Sequence, residues 1–254
     1  MQKLWQKGRA LSLSIMVSAS LISGALSVST PAANAAATKE LLQLSGQTTY
    51  YGEVENGQPN GRGTIKWSEY KQYSGDFVNG KRSGTGKYIN QYTDADGQNH
   101  KIVYNGTWNN DTMSGKGTQT EKVTQMDGTV RSNEIQVGTF QNNGLQNGYQ
   151  VIHAVADPDY SFADPDYSFT YKNGKEVLNI LHSNQDLVQR WQKGELFSVN
   201  YKNGSVQKEY SMVPEETATK ERQRQASIKY FKGITAKVTP HLQQFEKLSK
   251  QTPL

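Results

Sequence analysis

Residues 73–86 read Tyr73-Ser-Gly-Asp-Phe-Val-Asn-Gly-Lys-Arg-Ser-Gly-Thr-Gly86. At the centre of this stretch stands Asn79-Gly80, a pair that tolerates positive φ at both positions and therefore favours a two-residue type I′ hairpin turn. On the first arm, the two-residue period of a β-strand places the rings of Tyr73 and Phe77 on one face. The stretch therefore predicts an antiparallel hairpin with one aromatic face and one polar face.

The same pattern recurs without gaps at residues 50–63 and 104–117, and a fourth, longer copy covers 136–150. Each of the first three copies reads Tyr-x-Gly-x-(Val/Phe/Trp), then a turn, then Gly-x-Gly. Counting outward from the turns sets Gly52 opposite Gly61 and a glycine opposite each tyrosine, so we predict that each tyrosine ring fills the space above a glycine. The residues that this register assigns to the repeat are Tyr50, Gly52, Gly61, Gly63, Tyr73, Gly75, Gly84, Gly86, Tyr104, Gly106, Gly115, Gly117, Gly138 and Gly148.

The fourth copy has a different turn, Asn142-Asn143-Gly144. We predict a three-residue loop with Gly144 in the left-handed position, which restores Gly138 opposite Gly148. The longer connections between copies contain Asp96-Gly97 and Asp127-Gly128, which predict further hairpin turns. The chain is therefore expected to form a meander of successive antiparallel hairpins.

The repeat resembles the MORN (membrane occupation and recognition nexus) family, in which an aromatic-Gly-aromatic run is followed by an Asn-Gly turn and Gly-x-Gly. The match is specific over residues 50–88 and 104–117 and degenerate over 136–150. The resemblance implies a mainly β fold, an elongated twisted sheet of consecutive hairpins that binds proteins or lipids. It implies no catalytic residue and no cofactor.

Three looser aromatic–glycine turns follow, at residues 171–175, 191–195 and 201–205. They predict that the sheet continues to about Met212. The cross-strand pairs expected from these turns are Phe169 with Leu178, Trp191 with Leu196, and Tyr201 with Val206.

From residue 214 onward, apolar residues recur at three- and four-residue steps, which predicts an amphipathic helical tail. Pro240 is expected to break it into helices over about 215–238 and 241–250. We favour docking of this tail, either on the aromatic face or as a cap on the open edge of the sheet, because a single-layer sheet needs a cover. Since the tail holds eight basic and four acidic residues, attachment to an anionic membrane is the alternative.

The first 35 residues have the pattern of a secretory signal peptide. A basic start is followed by an uncharged stretch, Ala10 to Ser29, and by the small-x-small site Ala33-Asn34-Ala35. A retained membrane anchor is the alternative, but seven of those twenty uncharged residues are serine. The expected organisation is a signal peptide at 1–35, a linker at 36–49, the repeat sheet at 50–150, its continuation at 151–213 and the helical tail at 214–254.

Composition narrows the class of protein further. The 254 residues contain 23 glycines, 14 tyrosines and no cysteine, which excludes disulfide bonds, thiolate metal sites and a cysteine nucleophile. Without residues 1–35 the net charge falls from +5 to +2, so a nucleic-acid partner is not expected. Gly84-Thr-Gly86-Lys87 lacks the spacing of a phosphate loop, and the four histidines lack metal-ligand spacing.

A duplicated heptad, Ala-Asp-Pro-Asp-Tyr-Ser-Phe, occupies residues 156–169. Its carboxylates at Asp157, Asp159, Asp164 and Asp166 are one possible calcium site. The glycine turn and the terminal glutamate of a calcium loop are absent, so we favour a surface connection and expect no metal.

These observations favour an exported, non-enzymatic binding or scaffold protein whose partner is a protein or a cell-envelope component. Exposed aromatic residues on a rigid sheet make a binding platform, and the candidate binding residues are Tyr51, Phe77 and Trp108. Peripheral membrane attachment through residues 214–254 is the second hypothesis. An envelope hydrolase is the third and least favoured hypothesis, because no catalytic constellation is recognisable.

Overall fold

The computed structural model describes residues 38–155, 166–213 and 217–254. Within these residues there are thirteen strands: β1 Lys39–Ser45, β2 Thr48–Glu55, β3 Gln58–Lys66, β4 Lys71–Val78, β5 Lys81–Thr93, β6 Asn99–Asn109, β7 Thr112–Thr124, β8 Val130–Gln141, β9 Gly144–Ala154, β10 Tyr167–Asn173, β11 Glu176–His182, β12 Ser198–Asn203 and β13 Val206–Ser211. The described part of the chain also contains three helices, α1 Leu187–Lys193, α2 Ala218–Gly233 and α3 Thr235–Ser249. The signal-peptide prediction and all of the duplicated heptad up to residue 165 lie outside the described residues.

All thirteen strands form one antiparallel sheet in which spatial order equals chain order. The predicted meander and its continuation past residue 150 are therefore confirmed. The turns around Gly97 and Gly128 close the β5–β6 and β7–β8 hairpins, as expected. Because every strand pairs only with its sequence neighbours, each hairpin is stabilised mainly by the next one along the chain.

Most of the expected linker at 36–49 is a strand instead. β1 pairs with β2 and buries Leu42 beside Tyr50, while the neighbouring Leu41 stays exposed. This strand lacks the Tyr-x-Gly pattern, so the repeat search could not find it. Its pairing gives the first repeat strand a neighbour on both sides.

The register inside the first three hairpins differs from the prediction by two residues. Gly52 lies opposite Gly63 rather than Gly61, and Tyr50 lies opposite Ile65. The corresponding pairs in the next two hairpins are Gly75 with Gly86, Tyr73 with Tyr88, Gly106 with Gly117 and Tyr104 with Gln119.

A bulge on the second strand of each hairpin causes this shift. Gly61, Gly84 and Gly115 have φ values of 93°, 58° and 87°, which residues other than glycine rarely adopt. In the second hairpin the Asp76 carboxylate occupies the bulge and accepts a 2.7 Å bond from the backbone N–H of Thr85. The first Gly of each Gly-x-Gly is therefore the bulge residue, and only the second lies under the tyrosine.

In the fourth hairpin the predicted pairing of Gly138 with Gly148 is confirmed, although the predicted loop is wrong. Asn142 and Asn143 are the left-handed residues, with φ of 51° and 70°, and Gly144 already pairs with Gln141. A two-residue turn forms. The extra residue is a bulge on β9 between Leu145 and Asn147, which lie opposite Phe140 and Thr139.

The apolar side of the sheet changes face halfway along it. Tyr104 lies directly opposite Gln119, which lies opposite Gln136, so these three share the face that we call the tyrosine face. Ile135, next to Gln136, must point to the other face, and with Val151 it belongs to the core beneath the helices. We call this second side the helix face.

Two separate cores result from this change. The first is on the tyrosine face and contains Leu42, Tyr50, Ile65, Tyr73, Phe77, Tyr104, Trp108 and Phe140. The second is on the helix face and joins the apolar residues of β8–β13 to those of α1, α2 and α3. The tail therefore docks on the sheet, but against the side opposite to the repeat tyrosines.

The residues 191–195 end a helix and do not form a hairpin turn. Leu187 and Trp191 of α1 are buried, and Gly194 caps the helix with φ of 75°. The backbone N–H of Val188 donates a 2.8 Å bond to the Glu246 carboxylate of α3. The predicted pair of Trp191 with Leu196 is thus wrong, because the apolar residues here follow a helical period.

The other two late turns do form hairpins, each one residue further along than predicted. Phe169 pairs with Ile180, and Tyr201 pairs with Lys208. The loop residues are 174–175 and 204–205, since Gly174 and Gly204 supply a left-handed first position.

The tail breaks before Pro240 rather than at it. α2 ends at Gly233, α3 begins at Thr235, and Pro240 lies inside α3. Glycine is a poor helix residue, so Gly233 is the weaker point of the chain. Pro240 is exposed in the second turn, where loss of one backbone bond is offset by the buried residues around it, Val238 and Leu242.

Polar contacts hold α3 on the sheet. The Lys237 ammonium lies 2.7 Å from the Glu176 carboxylate and donates a 2.8 Å bond to the Tyr201 hydroxyl. Burial acts to raise the pKa of Glu176, but the bonds from Lys237 and Tyr201 outweigh it and keep that pKa below its ordinary value. Further along α3, His241 bonds the Tyr149 hydroxyl at 2.8 Å.

Among the described helices, none combines the length and the apolar character needed to cross a membrane.

Candidate functional site

The repeat tyrosines lie flat on paired glycines of the tyrosine face. A side chain added to Gly63, Gly86 or Gly117 would overlap the ring of Tyr50, Tyr73 or Tyr104 respectively. Each hydroxyl reaches past the glycines and donates to a backbone carbonyl three residues along, at 2.7 Å to Glu53, 3.0 Å to Asp76 and 3.1 Å to Thr107. The predicted filling of glycine space by tyrosine is confirmed, through a diagonal contact rather than a directly opposite one.

The same face carries an unbroken series of edge-to-face ring contacts. Tyr50, Phe77, Tyr73, Trp108, Tyr104 and Phe140 follow one another with ring centroids 5.1 to 5.3 Å apart. Edge-to-face pairs at this separation are favourable beyond simple burial. Burial, helped by the charge of Glu53, raises the pKa of Tyr50 to about 12, so its hydroxyl stays a proton donor at physiological pH.

The three candidate binding residues do not form one exposed platform. Phe77 and Trp108 are only 2% and 4% exposed and belong to the core of the tyrosine face. Tyr51 is 57% exposed and lies on the helix face, because it follows Tyr50 by one residue. The sequence identified aromatic positions correctly, but it could not show that neighbouring rings on the same face bury one another.

Arg82 closes this aromatic core. Its guanidinium lies 4.4 Å from the Trp108 ring centroid and within 6 Å of those of Trp67, Tyr73 and Tyr88. Its Nε also bonds the Asp111 carboxylate at 3.0 Å, across to the next hairpin. The residue therefore joins two repeats by charge and by ring contact.

A surface cleft of about 700 Å³ lies at the far ends of β5, β6 and β7. Tyr70, which is 56% exposed, lines it. Tyr92 also borders the cleft, but its ring lies on the opposite face of the sheet, stacked on His100. Lys101 and Lys122 also line it, and they lie directly opposite each other on neighbouring strands. Like charges in this position repel, so the cleft favours an anionic partner.

His100 stands beside this cleft at the centre of a small charged group. Its ring nitrogens lie 2.8 Å from the Glu121 carboxylate and 3.0 Å from the Asp94 carboxylate. The Tyr92 ring stacks on it at 4.8 Å. Hydrogen bonds that His100 donates to the carboxylates of Glu121 and Asp94 raise the pKa of His100, so that it is charged over a wider pH range than an isolated histidine.

Neither the cleft nor the His100 group could be recognised from the sequence. Asp94, His100 and Glu121 are scattered along the chain and meet only because the β5–β6–β7 register brings their strand ends together. In the part of the chain that the structure describes, no group of three or more histidines or carboxylates is arranged to hold a metal ion.

Comparison with known proteins identifies the repeats. A family model for the MORN repeat matches residues 50–70, 73–90 and 104–120, so the chain contains three MORN repeats. Human and rat alsin are each 32% identical to it over 106 residues, which is 42% of this chain and 6% of alsin. MORN repeat-containing protein 3 of Xenopus laevis is 41% identical over 70 residues, which is 27% of this chain and 29% of that protein.

The chain thus spans only a small part of the length of these relatives, and the similarity concerns the repeats. MORN repeats generally mediate binding to membranes or to proteins, and proteins that contain them are generally not enzymes.

Proposed function

We propose that this chain is an exported, non-enzymatic binding or scaffold protein that presents its MORN-repeat sheet to a partner protein of the cell envelope. The three MORN repeats support a binding function. The leader-like pattern of residues 1–35 supports export.

The cleft beside the repeats carries the proposal. Tyr70 offers a rigid aromatic contact with a polar tip, a residue type that is enriched in protein interfaces. The opposed pair Lys101 and Lys122 gains stability when a carboxylate lies between the two ammonium groups. The expected partner therefore presents an acidic surface with an apolar portion.

The test is affinity capture with the full-length chain, expressed with a tag in its own cells and fixed by cross-linking. A specific partner should be captured by the wild type and lost from K101A/K122A and from Y70A. The matched control is K81A/K116A, which removes two exposed lysines from the opposite ends of β5 and β7. Partners captured equally by all variants would refute the cleft as the binding surface.

Membrane attachment through the tail is less well supported by the packing. Phe231, Val238, Leu242, Phe245 and Leu248 are all buried against the sheet, so the apolar side of the tail is already occupied. Insertion into a membrane would first require undocking, and only the outward basic residues remain for surface attraction. Sedimentation with anionic vesicles decides between the two, because salt-sensitive binding that K220A/R222A/K229A abolishes would favour the tail.

A further inference from the structure

A row of uncharged polar side chains crosses the tyrosine face in the second half of the sheet. Each member lies directly opposite the next on six consecutive strands. The row consists of Gln119 on β7, Gln136 on β8, Gln150 on β9, Thr170 on β10, Asn179 on β11 and Asn200 on β12. It continues the line of Tyr88 and Tyr104 from the repeats.

The composition of the row is unusual for an exposed strand surface. Asparagine is depleted in β-strands, yet two of these six positions carry it, and three more carry the amide of glutamine. The helix face of the repeats, which is also exposed to solvent, carries charged residues such as Arg62, Asp76 and Lys87 in equivalent positions. Solubility alone would be met by such charges, so it does not account for a row of amides.

No described element covers this row. All three helices pack on the opposite side of β8–β13, where Ile135, Val151 and Phe169 are buried. Every member of the row is only partly buried, in contrast to those neighbours.

The amides keep most of their hydrogen-bonding capacity. Gln136 and Gln150 each donate one bond to the Glu134 carboxylate, and Asn179 accepts one bond from Thr170 at 2.9 Å. A side-chain amide has two donors and an acceptor oxygen with two lone pairs. The row thus offers donors and acceptors at intervals of roughly 4.8 Å, the spacing between neighbouring strands.

Charges near the row nearly cancel. Lys172 and Lys202 lie on the same face, two residues along the strand from Thr170 and Asn200, and Glu134 accepts bonds from the two glutamines. Glu121, directly opposite Glu134, is paired with His100. Glu209 extends the row at the edge strand and accepts a 3.2 Å bond from Asn200. A strongly charged polymer has no complementary field here, whereas a neutral polymer rich in hydroxyl groups meets a donor or acceptor at every strand.

We propose that this row, here called the amide row, is a binding site for a linear, neutral, β-linked polysaccharide. Hydroxyl groups both donate and accept, as amides do, and one sugar ring is close in length to one strand spacing. Half-exposed apolar side chains beside the row, Ile152 and Leu181, can contact the less polar faces of the rings. The row is on the tyrosine face, whereas Lys101 and Lys122 of the cleft point to the opposite face, so each proposal can fail independently of the other.

The test is titration calorimetry of the full-length chain with cellohexaose and chitohexaose, supported by pull-down on cellulose and chitin. The wild type should bind at least one of these neutral glycans. The variant Q119A/Q150A/N179A should weaken binding by about tenfold or more, because three of the five amides are lost. The control S74A/N105A/T118A removes three polar side chains from the helix face and should bind normally, as should K101A/K122A.

Thermal unfolding of each variant separates lost binding from lost folding. If the triple variant is unstable, the single change Gln150→Leu keeps the side-chain size and removes one amide, and it should still weaken binding. Absence of binding by the wild type, equal binding by all variants, or binding only to anionic polygalacturonate would each overturn the proposal.

Discussion

Tyr73 lies across Gly86, although the residue directly opposite Tyr73 in the ladder is Tyr88. The ring crosses one step diagonally, covers the Gly75–Gly86 pair and places its hydroxyl 3.0 Å from the carbonyl of Asp76. Any side chain on Gly86 would occupy the space of this ring. Glycine is required here for lack of room and not for backbone freedom, since the φ of Gly86 is not positive.

The Gly86→Ala variant should therefore lose about 2 kcal/mol or more in the free energy of unfolding, as expected for an overfilled core. Gly144→Ala is the matched control, because the nearest atom to an added side chain is 3.8 Å away and its φ is ordinary. Urea unfolding of both variants measures the difference. Equal losses in the two would show that the ring does not define the glycine position.

Arg82→Ala should destabilise the chain by about 2 kcal/mol, because it removes a partly desolvated cation from the faces of several rings and from Asp111. Arg62→Ala serves as the comparison. The side chain of Arg62 is 75% exposed and its ion pair with Asp76 is long, at 3.5 Å, so we expect less than about 0.5 kcal/mol. Thermal melts of the two variants give the answer, and a harmless Arg82→Ala would contradict the role assigned to the ring contacts.

Phe245→Ala should destabilise the second core by about 3 to 5 kcal/mol, because Phe245 is fully buried between α3 and the sheet. The repeat core should be affected much less, since its residues form a separate cluster on the opposite face. Hydrogen exchange followed by peptide should show faster exchange in β9–β13 and α3 than in β2–β6. Uniform loss of protection would mean that the two cores unfold as one unit.

Acidification should act oppositely on the two halves of the sheet. Burial lowers the pKa of His182 and of His241, so their protonation below about 6.5 favours the unfolded chain and weakens the second half. The pKa of His100 is raised instead, so its contribution is fully present below about 6.5 and is lost as the pH rises through the higher folded value.

The measurement is the free energy of unfolding between pH 8 and pH 5 for the wild type, His241→Gln and His100→Gln. The His241 variant should lose less stability than the wild type on acidification, and the His100 variant should lose more. NMR titration of the imidazole signals supplies an independent check. A His100 pKa below that of a free histidine would contradict the bonds to Asp94 and Glu121.

Most of the fold could be predicted from the repeated tyrosines, glycines and turn pairs, because their interactions are local and each hairpin contacts only the next. The bulges escaped prediction because Gly61, Gly84 and Gly115 look identical to the covered glycines, and only their φ values separate the two roles. The change of apolar face was also missed, although Gln136 and Ile135 reveal it once the register is known. Prediction of the cleft would have required the ends of three strands, β5, β6 and β7, to be aligned with one another. Spacing within one hairpin does not determine that alignment.

The strictly sequential strand order has a consequence for how such a chain can vary. A hairpin inserted among the repeats lengthens the sheet without threading through existing structure, because no later strand returns to an earlier one. The helices anchor only the last strands, on the reverse side, and so impose no upper limit on the number of units before them. The number of repeat hairpins, and with it the length of the sheet, can therefore change without altering the strands that the helices cover.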